Sequence, residues 1–107
     1  VVLQVGGAFH SPLMEDARKQ LEEAIRNTKM KMPLCPVYQN VNGIPGVDVD
    51  QIKLNLIAQL TAPVRWTQTI QNMIADGMTS AMEVGGTGSV LRGLLRRVDR
   101  SITSETA

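Results

Sequence analysis

Short β-branched runs alternate with helix-period segments along this chain, and glycine or proline marks most handovers between them. That order constrains the fold more than composition does. Strands separated by helices pair in parallel and bury both faces, which predicts an α/β architecture. Residues 1–5 form an apolar, β-branched opening run, consistent with a short buried strand, and Gly6-Gly7 follow it. A helix is predicted over about residues 12–27. Ser11 is its N-cap, Pro12 suits the first helical position, and Glu15 and Asp16 bring negative charge to the first turn. Glu15 falls one position late for a capping box. Leu13, Ala17, Leu21, Ala24 and Ile25 recur on one face, with Arg18, Lys19, Glu22, Glu23 and Arg26 opposite.

Pro33 and Pro36 bracket the entry to a short strand over residues 37–41, ended by the Asn42-Gly43 turn. Asp48 or Asp50 can cap the next helix, which carries Ile52, Leu56, Ile57 and Leu60 and which Pro63 would end. Trp66, Ile70, Met73 and Ile74 mark another helix, closed by Gly77. A strand over residues 80–84 leads through Gly85-Gly86-Thr87-Gly88 to a final helix with Val90, Leu91, Leu94, Leu95 and Val98. The tail, residues 101–107, is polar without a packing stripe, so no regular structure is expected there. No repeat or linker is evident, and one structural unit is expected. The strands are few and short for four helices, and the chain opens in mid-strand without a start methionine. It reads as a piece of something larger.

Composition narrows the function classes. The 107 residues are 43% apolar, enough for a core, and the formal net charge of +1 provides no global field for nucleic acid. Phe9, Tyr38 and Trp66 are the only aromatics, too few for base-stacking platforms. No run is long enough to span a bilayer, and no signal peptide is expected. Cys35 stands alone, which precludes an intrachain disulfide and points to a reducing compartment. One Cys and one His do not make a zinc site, so no metal is expected.

Chemistry concentrates at His10, the sole histidine, where a strand hands over to a helix N-terminus. The positive helix end disfavours imidazolium and leaves the ring available as a base. A lone histidine is more often structural, and this one has no obvious partner. No Gly-x-Ser-x-Gly elbow occurs, Ser11 is wanted as a cap, and Ser89 lacks the flanking pattern. If His10 is a base, it acts on a residue outside this chain. Gly86-Thr87-Gly88 between strand and helix is similar to a dinucleotide fingerprint. However, the third glycine position is Leu91, and no second strand is expected to carry the ribose-binding acid. A tight turn is the simpler account. Arg92, Arg96, Arg97 and Arg100 stud the last helix, either as a solvated face or as a docking patch for an acidic partner.

Gly7-Ala8-Phe9-His10-Ser11-Pro12-Leu13-Met14 resembles the active-site histidine segment of malonyl-CoA:acyl carrier protein transacylases. Three further blocks follow in that family's order: Pro36-Val37-Tyr38-Gln39-Asn40-Val41, Gln59-Leu60-Thr61-Ala62-Pro63-Val64-Arg65-Trp66, and Glu83-Val84-Gly85 leading into Val90-Leu91-Arg92-Gly93-Leu94. The resemblance covers essentially the whole chain and implies the C-terminal third of such an enzyme. The implied fold is the C-terminal part of an α/β-hydrolase-like subdomain. Residues 1–9 would be the strand and loop leaving a ferredoxin-like small subdomain, and residues 10–107 the return to the large one.

The resemblance implies ping-pong malonyl transfer from coenzyme A to the phosphopantetheine thiol of acyl carrier protein through a seryl ester, in fatty-acid biosynthesis. His10 matches the general base. Gln59 matches the residue whose backbone carbonyl accepts the imidazole Nδ1–H in place of a carboxylate. Phe9 matches a position that accompanies malonyl choice, where a bulky ring would exclude an α-methyl by about 1–3 kcal/mol. The arginine helix becomes a plausible contact for the acidic carrier protein. Malonyl-CoA, acyl carrier protein and the missing N-terminal part of the same enzyme are then the partners, with no nucleic acid and no membrane. Coenzyme A thioester and phosphopantetheine serve as substrates, and no cofactor is implied. The expected location is the cytoplasm of a bacterial-type cell or an organelle matrix.

Two departures from the pattern stand out. Gly85-Gly86-Thr87-Gly88 replaces the usual Gly-Pro-Gly, one residue longer. The elbow serine, the arginine that pairs with malonyl carboxylate and the N-terminal glutamine loop all lie outside the chain, so it is expected to be inactive alone. The alternatives are an acyltransferase domain of a polyketide synthase, and a non-catalytic α/β module that binds an acidic partner.

Overall fold

The structure is a computed structural model, and it describes residues 15–107. The expected opening strand, the start of the first helix, Phe9 and His10 lie outside the described residues. The described chain packs as two units, residues 15–65 and 66–107.

In the first unit, α1 (Glu15–Asn27) buries Ile25 and half-buries Leu21, whereas Ala17 and Ala24 of the expected face are exposed. Arg18 bridges Glu15 at 2.9 Å and Glu22 at 3.1 Å, and Glu22 also receives Arg26 at 3.0 Å. The hydrogen bond to Glu15 and its charge hold the Arg18 guanidinium above its ordinary pKa. These pairs lie at the surface, where water and salt screen them, so they add little to stability. β1 (Val37–Tyr38) pairs antiparallel with β2 (Pro45–Gly46), Val37 opposite Gly46. The expected strand over residues 37–41 is therefore shorter. The cause is local: the Gln39 carbonyl accepts Gly43 N–H at 2.9 Å, turning the chain where ladder pairing would otherwise continue. Gly43 sits at φ 65°, as that turn requires.

α2 (Val49–Ala58) begins at Asp48, whose side chain accepts the Asp50 N–H at 2.9 Å. Asp48 is thus the cap and Asp50 a first-turn acid. The helix ends at Ala58, ahead of Pro63. Lys53 Nζ donates to Thr28 O at 2.6 Å, placing a cation at the carbonyl end of α1.

In the second unit, α3 (Trp66–Ala75) closes in a Schellman motif. Gly77 at φ 108° donates to Ile74 O, and Met78 donates to Met73 O. β3 (Ser80–Glu83), α4 (Val90–Val98) and β4 (Thr103–Thr106) then form a β–α–β unit, with β3 and β4 parallel from Ser80–Thr103 to Glu83–Thr106. This is the α/β signature that the alternation predicts. The expectation for the tail is corrected: residues 103–106 are a strand, and Ile102, 8% exposed, enters the core beside Ile70 and Leu95. A polar strand carries no apolar stripe for a sequence to display. Trp66, Met73, Ile74, Met78, Ala81 and Val98 pack around that trio. Among the described residues no helix is long and apolar enough to cross a membrane.

Candidate functional site

Gln59 is the one sequence-predicted catalytic position within the described residues, and it occupies the C-cap of α2 (φ −65°, ψ −24°). Its N–H donates to Asn55 O at 3.0 Å. Beyond it the chain tightens: Thr61 N–H and Thr61 Oγ both turn back on Ala58 O, at 3.2 and 3.4 Å. This short-range pattern, rather than Pro63, sets the helix end. The carbonyls of a helix's last turn lie beyond the i→i+4 ladder, where donors from elsewhere in a fold can reach them. The negative dipole end of α2 also falls here and favours a nearby cation by about 0.3–1 kcal/mol.

The segment 39–41 holds this helix end from both sides. Gln39 Nε2 donates to Ile52 O at 3.0 Å, while Gln39 Oε1 accepts Asn55 Nδ2–H at 3.0 Å. Gln51 Nε2 donates to Asn55 Oδ1 at 2.9 Å, which fixes the Asn55 amide. Downstream of Gln59, Arg65 N–H donates to Asn40 O at 3.0 Å and Arg65 Nε to Val41 O at 3.2 Å. No sequence signal singles out Gln39 or Asn55. Both are ordinary polar residues until the fold makes them face each other.

The glycine loop behaves as a turn, though the reason differs from the expected one. A second strand, β4, does follow it. What stands against phosphate binding is Glu83 at the end of β3, whose Oε1 accepts the Arg92 N–H in the first turn of α4 at 2.9 Å. A carboxylate already occupies part of the site an anion would use. Ser89, the nominal N-cap, makes no capping bond and pairs instead with Thr87 Oγ at 3.0 Å. Gly88 sits at φ 74°, and a Cβ there would overlap the Thr106 side chain.

The four arginines separate by role. Arg92 turns inward, with Nε on Ser104 Oγ at 3.3 Å and a terminal nitrogen on Thr106 Oγ1 at 2.9 Å. It ties α4 to β4, and it also lines a surface hollow with Ser89, Gly93 and Arg96. Arg96, Arg97 and Arg100 together line a hollow on the surface of the second unit. The same unit has a half-open apolar pocket of about 170 Å³ beside Trp66, Ile70, Met73, Leu91 and Leu95.

No family model matches the chain. It is 38% identical over 102 residues to the malonyl CoA-acyl carrier protein transacylase of Bacillus subtilis, covering 95% of this chain and 32% of that protein. It is 41% identical over 98 residues to the polyketide biosynthesis protein ThaF of Burkholderia thailandensis, covering 92% of this chain and 8% of that protein. Its backbone superposes on the acyl-carrier-protein-S-malonyltransferase of Bartonella henselae with a TM-score of 0.90 and 37% identity, across 99% of this chain and 33% of that one. A malonyl-transacylase in complex with its type II polyketide synthase acyl-carrier protein gives 0.89 at 30% identity, across 98% and 34%. The chain thus spans about a third of the length of the transacylases it matches. In sequence and in backbone alike the chain is similar to one segment of the malonyl CoA-acyl carrier protein transacylases.

Proposed function

We propose that this chain is the C-terminal portion of an enzyme that transfers malonyl from coenzyme A to the thiol of acyl carrier protein, and that it contributes the general base. The similarity to transacylases over 95% of the chain carries this reading. His10 takes the proton of a serine supplied by the remainder of the enzyme and gives it to the departing coenzyme A thiolate. It then takes the proton of the incoming thiol and returns it to the serine oxygen as the acyl group leaves. The Gln59 carbonyl accepts His10 Nδ1–H, which leaves Nε2 as the basic atom. The helix dipole at the end of α2 stabilises the imidazolium formed in each half-reaction. A carbonyl does this without a full negative charge, which suits a site that must also admit a malonyl carboxylate. Phe9 narrows the acyl pocket against an α-methyl branch. Without the serine, the chain alone turns over no substrate.

Arg92, Arg96, Arg97 and Arg100 form the cationic surface offered to the acidic carrier protein, with Arg92 also held by β4. Polyketide synthesis is a second reading, favoured by the similarity to ThaF and to the carrier-protein complex. It leaves the chemistry unchanged and alters only the identity of the carrier.

The test is made in an enzyme completed with the upstream region. His10→Ala lowers kcat/KM by about 10²–10⁴, and mass spectrometry of the unsubstituted enzyme finds a malonyl ester on serine. Near-normal turnover by His10→Ala removes the base from His10. The double variant Arg96→Glu, Arg97→Glu loses salt-sensitive carrier affinity, and unchanged affinity rejects the docking surface.

A further inference from the structure

We propose that Gln39 is a positioning residue for the general base, acting through Asn55 and the end of α2. The inference rests on the reading of His10 and Gln59 above and extends it to side chains that act through the Gln59 carbonyl. A backbone carbonyl can select a tautomer only if it is held still. Gln39 provides that restraint with both ends of one amide: Nε2–H donates to Ile52 O, and Oε1 accepts Asn55 Nδ2–H, each at 3.0 Å. The Asn55 carbonyl in turn accepts the Gln59 N–H at 3.0 Å. Ile52 and Asn55 lie three residues apart, so the amide grips one face of α2 in the turn that precedes Gln59. The neighbours of Gln39 hold the far side, where Asn40 O and Val41 O accept from Arg65. Residues 59–64 are therefore anchored upstream and downstream by the same three-residue segment. Gln39 and Asn55 are half-buried, which lessens competition from water for these bonds.

His10 is the only histidine, so nitrogen NMR of the ring in this chain reports its tautomer without overlap. In the unsubstituted chain the Nδ1–H tautomer is expected to dominate at neutral and higher pH. Gln39→Leu is expected to lose that preference, moving the ring nitrogen shifts toward the mixture of free imidazole, while amide exchange in α1 is unchanged. A folded Gln39→Leu chain that keeps the Nδ1–H tautomer overturns the proposal and leaves the pairing of Gln59 with His10 intact. If the unsubstituted chain itself shows the free-imidazole mixture, that pairing fails and this proposal with it. Should Gln39→Leu not fold, Asn55→Leu carries the same test. It breaks the amide pair from the helix side, where leucine is a good helix former.

Discussion

The two units of this chain are held together by different forces. In residues 66–107, Ile70, Leu95 and Ile102 come from a helix, a second helix and the lead-in to a strand, and they meet in one apolar cluster. In residues 15–65 the buried apolar side chains among those described are Ile25 and Ile57. Much of the tertiary connection there runs through polar side chains on backbone carbonyls: Lys53 on Thr28, Gln39 on Ile52 and Arg65 on Val41. Apolar burial is strong and non-directional, whereas a hydrogen bond contributes about 0.5–1.5 kcal/mol but fixes an atom's position. The unit that carries Gln59 is the one built on directional contacts. A site that depends on where one carbonyl points is better served by such contacts than by a larger core.

The contrast is broken or kept most clearly by truncating each kind of contact. Leu95→Ala is expected to cost about 2–5 kcal/mol, the range for removing a buried leucine, because Leu95 is 4% exposed at the centre of its cluster. Gln39→Leu is expected to cost on the order of 1 kcal/mol, one pair of half-buried hydrogen bonds exchanged for apolar contact. Thermal melts of the two variants test this. Equal losses would mean that the amide clamp contributes as much stability as a core side chain, and the distinction between the units would fall.

Gly88→Ala is the next largest and separates two causes within the second unit. The residue sits at φ 74°, and an added Cβ would meet Thr106 Cγ2. Backbone strain of this kind costs about 1–3 kcal/mol, and the overlap adds to it. Thr106→Ser removes the methyl while keeping a hydroxyl to donate to Gly88 O, now at 2.8 Å, and to accept from Arg92. In a double-mutant cycle, Thr106→Ser is expected to recover the steric part of the Gly88→Ala loss and leave the conformational part. No recovery at all would show that the left-handed backbone alone makes glycine necessary.

The helices were legible from the sequence because their signals are periodic and local. Ile25 on α1, Asp48 before α2 and Gly77 after α3 all appear where the pattern puts them. What escaped was long-range or polar. Pro63 looked like the end of α2, but the hydrogen bonds of Thr61 to Ala58 tighten the chain before it arrives. The strand from Val37 lost its second half to the Gly43 turn. β4 had no apolar alternation to read, since Ser104 and Thr106 meet Arg92 rather than a hydrophobic layer. The same blindness hid the division of labour among the arginines. At the candidate site, the family pattern pointed to Gln59. Nothing in a single sequence could show that Gln39 and Asn55, sixteen residues apart, share a pair of amides.

A smaller effect tests whether the second unit is purely apolar in its logic. Ser89 does not cap α4, and Glu83 reaches across from β3 to accept the Arg92 N–H. Glu83→Ala is expected to cost about 0.5–2 kcal/mol, the usual range for a lost N-cap. Amide exchange should quicken first in the opening turn of α4. Uniform quickening along all of α4 would instead mark Glu83 as part of the sheet's own packing.

The smallest expected effect lies at the turn between α4 and β4. Asp99 accepts both Ser101 Oγ–H at 2.6 Å and Ser101 N–H at 2.8 Å. The side-chain bond first, and the backbone bond second, hold its carboxyl below the ordinary value of 3.8. Because the folded pKa is depressed, the contribution is fully present above the unfolded-state pKa and is lost as pH falls through the folded one. Asp99→Asn is therefore expected to lower the melting temperature slightly at neutral pH. The variant should then converge with the unsubstituted chain on acidification below about pH 4. The carboxylate is fully exposed, so salt and water screen the difference and keep it small. A gap between the two melting curves that stays constant down to low pH would show that Asp99 acts through shape at the turn and not through its charge.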